Sequence, residues 1–203
     1  LVILASYNGE KYIKEQIDSI LSQEDVDLDI KIFDDVSTDN TLSVLECFKN
    51  NDQIEIIQNP IRSGSAANNF FNAIKNNNFN HIDEYDFIAF ADQDDIWLPR
   101  KLKAASEMLT LQHSDLYCSN LILWDEQTNN EMIISKSYPQ KKYDYLFEGG
   151  SAGCTYVFTN EFYLGLKDIL KSVNYTEWKY FSHDWFVYFY ARINDFKVSI
   201  DSN

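Results

Sequence analysis

Three short segments carry the residues best suited to chemistry. Asp92-Gln93-Asp94-Asp95 puts three carboxylates within four positions, directly after a strongly apolar run. Carboxylates so crowded repel one another where solvent screening is reduced, and a divalent cation preferring oxygen ligands, Mg²⁺ or Mn²⁺, relieves that repulsion. The plain alternative is an acidic loop, or an N-cap ahead of a helix beginning near Pro99. Asp34-Asp35-Val36-Ser37 offers a second carboxylate pair. It suits hydrogen bonding to a base or ribose, and equally a turn with a helix cap. Ser6-Tyr7-Asn8-Gly9 is either a turn opening a helix or a place where a tyrosine packs on a base. Farther along, His183 precedes Asp184. That pair reads as a dyad, as a metal site, or as a histidine that orients its loop or touches a diphosphate. Only three histidines occur in the chain, which argues against a His-rich site. Cys154 reads as a small buried residue rather than a nucleophile. Trp97 and Trp185 are candidates for stacking on a sugar ring, while the remaining aromatic cluster over 178–190, Tyr180 and Phe181 included, reads as helix core.

These segments need elements to hold them. Residues 1–5, 29–33, 53–58 and 86–91 read as strands, and helical spacing fills 9–22, the stretch from a cap at Ser37 or Asp39 to Phe48, and 65–77. Repeated strand–helix units imply a parallel sheet with helices on both faces and right-handed crossovers. Ligands of such sheets bind beyond the carboxyl ends of the strands. Strands one, two and four end in the three polar segments, so all three should open onto one edge. A helix over 99–112 follows, and the pattern then becomes mixed. Strand-like pieces fall at 116–119, 121–124, 132–135 and 155–158, and helical ones at 161–171 and 183–193. Neither a Gly/Ser/Pro-rich linker nor a repeat divides the chain. One domain over 1–203 is expected, with a nucleotide-type half (1–97) and a mixed half (98–203).

Composition narrows the partners. The 203 residues hold 17 Lys+Arg against 32 Asp+Glu, a formal net charge of −15. That excludes a basic nucleic-acid grip and a polybasic membrane anchor, both of which rest on Lys and Arg meeting phosphate. Three scattered cysteines, an odd number with no CxxC, suit reduced thiols in a cytosolic setting. No run approaches the roughly 18 apolar residues of a membrane span. Leu1 begins inside an apolar run and the last residues follow a strand-like one, so both ends read as trimmed.

Taken together, the motifs resemble the inverting, GT-A fold glycosyltransferases of family 2. Ala5-Ser6-Tyr7-Asn8-Gly9-Glu10-Lys11-Tyr12-Ile13 resembles the family's opening nucleotide-binding segment, and Asp34–Thr41 its Asp-Asp-Gly-Ser-Thr-Asp-x-Thr segment, with Val36 in place of the usual glycine. Asp92-Gln93-Asp94-Asp95-Ile96-Trp97-Leu98-Pro99 resembles the DxD metal segment in its rhamnosyltransferase-like form. Gly64-Ser65-Ala66-Ala67-Asn68-Asn69-Phe70, Gly149-Gly150-Ser151-Ala152-Gly153-Cys154-Thr155 and Ser182-His183-Asp184-Trp185 are similar to that subgroup too.

The resemblance implies an α/β, Rossmann-like, mostly parallel sheet flanked by helices, with a mixed acceptor side. It implies that Ala5, Ser6, Tyr7, Asp34, Asp35, Asn68, Asp92 and Gln93 meet the nucleotide-sugar, that Asp94 ligates Mg²⁺ or Mn²⁺, and that Asp184 is the catalytic base. Trp97, Gly153, Cys154, His183 and Trp185 fall on the acceptor side. The implied donor is a dTDP- or UDP-sugar, with rhamnose as one such sugar, and the implied acceptor is a glycan or lipid-linked saccharide. The setting is surface polysaccharide synthesis in the cytoplasm, with peripheral contact at the inner face of the plasma membrane where the acceptor is lipid-linked. The Gln-x-x-Arg-Trp segment of processive synthases is absent from these residues. Two rival readings remain. A sugar nucleotidyltransferase should carry a Gly-rich basic loop after strand one, but residues 6–10 hold one glycine and no arginine. A non-catalytic binding module has no need of both Asp94 and Asp184.

Overall fold

A computed structural model describes residues 1–77, 79, 81–178 and 182–202. Tyr180 and Phe181 of the aromatic cluster lie outside the described residues. The strands are β1 (Val2–Ser6), β2 (Ile30–Asp34), β3 (Ile54–Gln58), β4 (Phe87–Asp92), β5 (Leu116–Ser119), β6 (Leu121–Asp125), β7 (Asn130–Ile134), β8 (Val157–Thr159) and β9 (Val198–Asp201). The helices are α1 (Ile13–Leu21), α2 (Thr41–Leu45), α3 (Ala66–Asn76), α4 (Lys101–Gln112), α5 (Asn160–Ser172) and α6 (His183–Ile193).

Seven strands form one sheet in the order β3-β2-β1-β4-β8-β5-β9. The front four are parallel, β8 runs antiparallel to both β4 and β5, and β9 is parallel to β5. The expected parallel front and mixed back are both present. Register places Ser6 beside Asp34 and Ala5 beside Asp92, so the three polar segments leave the same edge. Among the described residues β6 and β7 pair only with each other, as a separate hairpin.

Strand alternation feeds two cores. Val2, Leu4, Ala89 and Ala91 face one way, against Ile13, Ile17 and Ile20 of α1 and Ala105 and Leu109 of α4. Ile3, Ala5, Ile88 and Phe90 face the other, against α3, α5 and α6. Each fully buried aliphatic or aromatic side chain contributes about 1.5–3 kcal/mol, so these faces fix the sheet.

Two helix starts differ from expectation, both because loop hydrogen bonds compete with the helix. α1 begins at Ile13, not near Gly9, since the Gly9 and Glu10 amides donate to Thr41 Oγ1 and Asp39 Oδ2. α2 starts at Thr41 after Asn40, and Asp39 accepts from the Thr41 amide and hydroxyl rather than serving as the cap itself. α3 is capped by Ser65, whose hydroxyl accepts from the Asn68 amide. No described helix is long and apolar enough to cross a membrane.

Candidate active site

The β1, β2 and β4 ends and the loop leading into α3 enclose a cleft of about 300 Å³. Ala5, Ser6, Tyr7, Asp35, Asp92, Gln93 and Asp94 line it, with Arg62, Gly64, Ser65, Ala66 and Asn69 from the β3–α3 side. Seven of its lining residues were therefore expected from sequence. Ser6 contributes a buried hydroxyl with no partner among the described residues, a group free to meet a ligand.

Gln93 bridges the ends of β1 and β4. Its Oε1 accepts from the Tyr7 amide at 2.7 Å and its Nε2 donates to the Tyr7 carbonyl at 3.0 Å. Gly9 makes room for this clamp, since a Cβ there would lie 2.5 Å from Gln93 Oε1. Gln93 thus holds Tyr7 with its amide. The Tyr7 ring in turn stacks under the Arg62 guanidinium, 4.0 Å from its centroid.

Asp35 accepts from Asn59 Nδ2, from the Ser63 amide and hydroxyl, and from the Gly64 amide. Its carboxylate therefore moors the loop that carries Arg62. Asp34 is fully buried, accepts from the Ser37 amide and hydroxyl, and does not line the cleft. Asn68 does not line it either: its side chain donates to the Ser63 carbonyl, and the neighbouring Asn69 takes the wall position. The turn after Asp35 has not adapted to Val36, which sits at φ +60°. For a β-branched residue that conformation is strained.

Three carboxylates gather where β4 ends, and a fourth, Asp184, is near enough for its charge to act on Asp92. Asp92 and Asp95 oxygens and the Cys154 sulfur all lie within 4.8 Å of one another, while Asp94 is exposed on the cleft wall. Burial first, then the charges of Asp95, Asp94 and Asp184, push the Asp92 carboxyl up to about 7. Burial also raises Asp95, against a lowering hydrogen bond from Cys154. Burial pushes the Cys154 thiol up, which keeps it protonated beside Asp95. Asp95 Oδ2 is buried without a partner among the described residues. Mutual repulsion among oxygen ligands, together with an orphaned carboxylate oxygen, is what a hard divalent cation resolves, so the residues present fit one.

Behind this group lies Lys101, whose buried ammonium sits 3.6 Å from the Trp97 ring centroid; burial brings its pKa down to about 8. Trp97 does not reach the acceptor side. It packs in the α1–α4 core, on the sheet face opposite α6, because the apolar indole is worth more buried there.

Asp184 opens α6, half-buried, with Oδ1 accepting from the Trp185 amide. Trp185 donates its indole N–H to the Tyr145 carbonyl. His183 is buried against Phe70, and burial lowers its pKa to about 4, so it is neutral. Gly153 abuts its ring. The 149–151 segment is held by Gly150 and Ser151 amides donating to Tyr156 Oη.

Arg62 was missed in the sequence, although one signal was available. β3 is parallel to β2, so its carboxyl end opens onto the same edge as the three segments singled out, and the same rule points to the loop after it.

Comparison with known proteins gives a consistent result. The Glycosyl transferase family 2 model matches residues 1–173. A dTDP-rhamnosyl transferase, RfbG of Shigella flexneri, is 37% identical over 200 residues, 98% of this chain and 68% of that protein. A glucosyltransferase acting on an α-D-GlcNAc-diphosphoundecaprenol, WfgD of Escherichia coli, is 31% identical over 156 residues, 75% of this chain and 56% of that one. The crystal structure of Staphylococcus aureus TarS 1–349 with UDP-GlcNAc superposes with a TM-score of 0.74 at 23% identity, covering all of this chain and 55% of that one. The chain thus spans a little over half to about two thirds of these relatives.

Proposed function

The chain belongs to glycosyltransferase family 2, and from that premise we propose that its cleft binds a nucleotide-diphospho-sugar and passes the sugar, with inversion, to a hydroxyl of a glycan or lipid-linked acceptor. The observation that carries this reading is the gathering of Asp92, Asp94, Asp95 and Asp184 beside a cleft lined by the β1, β2 and β4 ends. The donor nucleotide is dTDP or UDP, and rhamnose is the favoured sugar because RfbG is similar over nearly the whole chain. The lipid-linked form of the acceptor is favoured by WfgD. Work at the cytoplasmic face of the membrane follows from that acceptor.

Residues 1–97 form the donor half of one domain and 98–203 the acceptor half. Ala5 and Ser6 meet the nucleoside, with Tyr7 as its stacking surface. Arg62 is the one cation on the cleft wall among the described residues, and it faces the donor's negative charge. Asp35 contributes by fixing Arg62's loop, and Gln93 by fixing Tyr7. Asp94, with Asp92 and Asp95 beside it, would hold Mg²⁺ or Mn²⁺. Such an ion neutralises the departing diphosphate.

Asp184 takes the proton of the acceptor hydroxyl as that oxygen bonds to the anomeric carbon. The bond from that carbon to the diphosphate oxygen breaks on the opposite side, and its electron pair leaves with the diphosphate. Nearby carboxylates favour the oxocarbenium-like charge between the two events.

Replacing Asp184 by Asn tests the assignment. A general base typically supplies ~10²–10⁴-fold, so kcat should fall by about that factor while donor affinity persists. Near-normal transfer by Asp184→Asn would remove Asp184 from the reaction.

A further inference from the structure

His183 does nothing in the reaction as derived, yet it occupies a costly place. The residue is 7% exposed, and its ring lies 4.3 Å from the Phe70 ring and 5.8 Å from the Phe90 ring, centroid to centroid, with no hydrogen-bond partner for Nε2 among the described residues. A phenylalanine would fill such an aromatic stack without burying an unpaired nitrogen. From the other side, the backbone of Gly153 presses on the ring edge: a Cβ there would lie 2.0 Å from Nε2. Three fixed parts of the fold therefore meet on this ring: α3 through Phe70, β4 through Phe90, and the 153–155 turn. The ring belongs to the first residue of α6, and Asp184 is the second. Inside a helix the position of one residue sets that of the next, and reactive groups displaced by about 1 Å lose on the order of 10²-fold in rate.

We propose that His183 is a positioning residue, a wedge whose ring locks the first turn of α6 between Phe70, Phe90 and Gly153 and so sets where Asp184 stands relative to Asp92. The same turn carries Cys154, whose sulfur lies within 4.8 Å of Asp92 and Asp95 carboxylate oxygens, so the wedge joins the base to the carboxylate group on the strand side. The role is one of shape, because burial keeps the imidazole uncharged. It rests on the reading of Asp184 as the base.

The test compares the wild type with His183→Ala, His183→Phe and Asp184→Asn. Turnover is read as nucleoside diphosphate release from dTDP-rhamnose or a UDP-sugar with water as acceptor, and nucleotide affinity by calorimetry with dTDP and UDP in Mn²⁺. His183→Ala should lower kcat at least about tenfold with nucleotide affinity within about twofold. His183→Phe should recover kcat to within roughly threefold of wild type, with an unchanged pH profile. If His183→Ala does not fold, Gly153→Ala pushes on the same ring from the opposite side and should show the same split. Wild-type kcat in His183→Ala, or in a folded Gly153→Ala, would overturn the wedge. A His183→Phe variant as slow as His183→Ala would overturn it too, by giving the nitrogen itself a part. Full turnover in Asp184→Asn would instead overturn the underlying assignment of the base.

Discussion

At the scale of single residues, the polar groups divide into those left open to a ligand and those already engaged by the fold. Gln93 belongs to the second kind, because its amide closes the gap between the β1 and β4 ends by pairing with both polar groups of Tyr7's backbone. Gln93→Ala removes two hydrogen bonds of about 1 kcal/mol each. It should weaken nucleotide diphosphate binding roughly tenfold in calorimetry with secondary structure intact by circular dichroism, and unchanged affinity would show that Tyr7 needs no clamp. His183 gives a pH signature. Its folded pKa of about 4 lies below the ordinary 6.5, so between those values the unfolded chain binds a proton that the native one does not. Stability from this group is therefore complete above about pH 6.5 and is lost as pH falls towards 4. Against His183→Phe, the wild type should lose an extra ~2–3 kcal/mol of unfolding free energy over that window in urea titrations; parallel curves would mean the imidazole protonates freely in the fold. Which residues line the cleft was largely legible in the sequence, because carboxylates and a tyrosine at the ends of parallel strands open onto one edge. Which carboxylates are free was not legible. Asp34 and Asp35 are adjacent and look equivalent, yet one caps a turn and the other moors a loop, and that choice is made by φ/ψ at Val36 and by contacts nearly 30 positions away.

At the scale of elements, the site depends on loops tied to one another across the sheet edge. The β1–α1 and β2–α2 loops share reciprocal bonds: the Asn8 amide to Ser37 Oγ, the Thr38 amide to Asn8 Oδ1, and the Asn40 amide to Glu10 Oε2. The β3–α3 loop hangs on Asp35 alone for four of its hydrogen bonds. Asp35→Ala should therefore lose amide hydrogen-exchange protection at Ser63 and Gly64 while the strands keep theirs, with nucleotide affinity falling as Arg62 loses its post. Retained protection at those amides would contradict the mooring. The strands and long helices were readable from apolar periodicity, with α6 and β5 read to the residue. The starts of α1 and α2 were not, since side chains from a different loop occupy the amides that local capping rules assign to the helix itself. Trp97 shows the same limit: beside an acidic segment it looks ligand-facing, but strand alternation and the turn before α4 carry it to the opposite core.

At the scale of the whole molecule, a net charge of −15 looks ill-suited to a diphosphate-bearing donor. The cleft sharpens the difficulty, since Asp35, Asp92 and Asp94 line it against a single arginine, Arg62, among the described residues. A bound divalent cation inverts the local sign, and it relieves the burial and carboxylate repulsion that together lift Asp92 to about 7. The parallel front half and the shared edge followed from the sequence by fold rules alone. The back half did not, because the pairing of β8 between β4 and β5 joins segments some 40–70 positions apart, with no short-range signal. The most direct measurement is a calorimetric titration of dTDP and UDP into wild type and Asp94→Ala, each with Mn²⁺ and with chelator. A carboxylate cleft that takes its donor through a cation should bind nucleotide in wild type with Mn²⁺, and should lose that binding both with chelator and in Asp94→Ala. Equal affinity under all four conditions would contradict it.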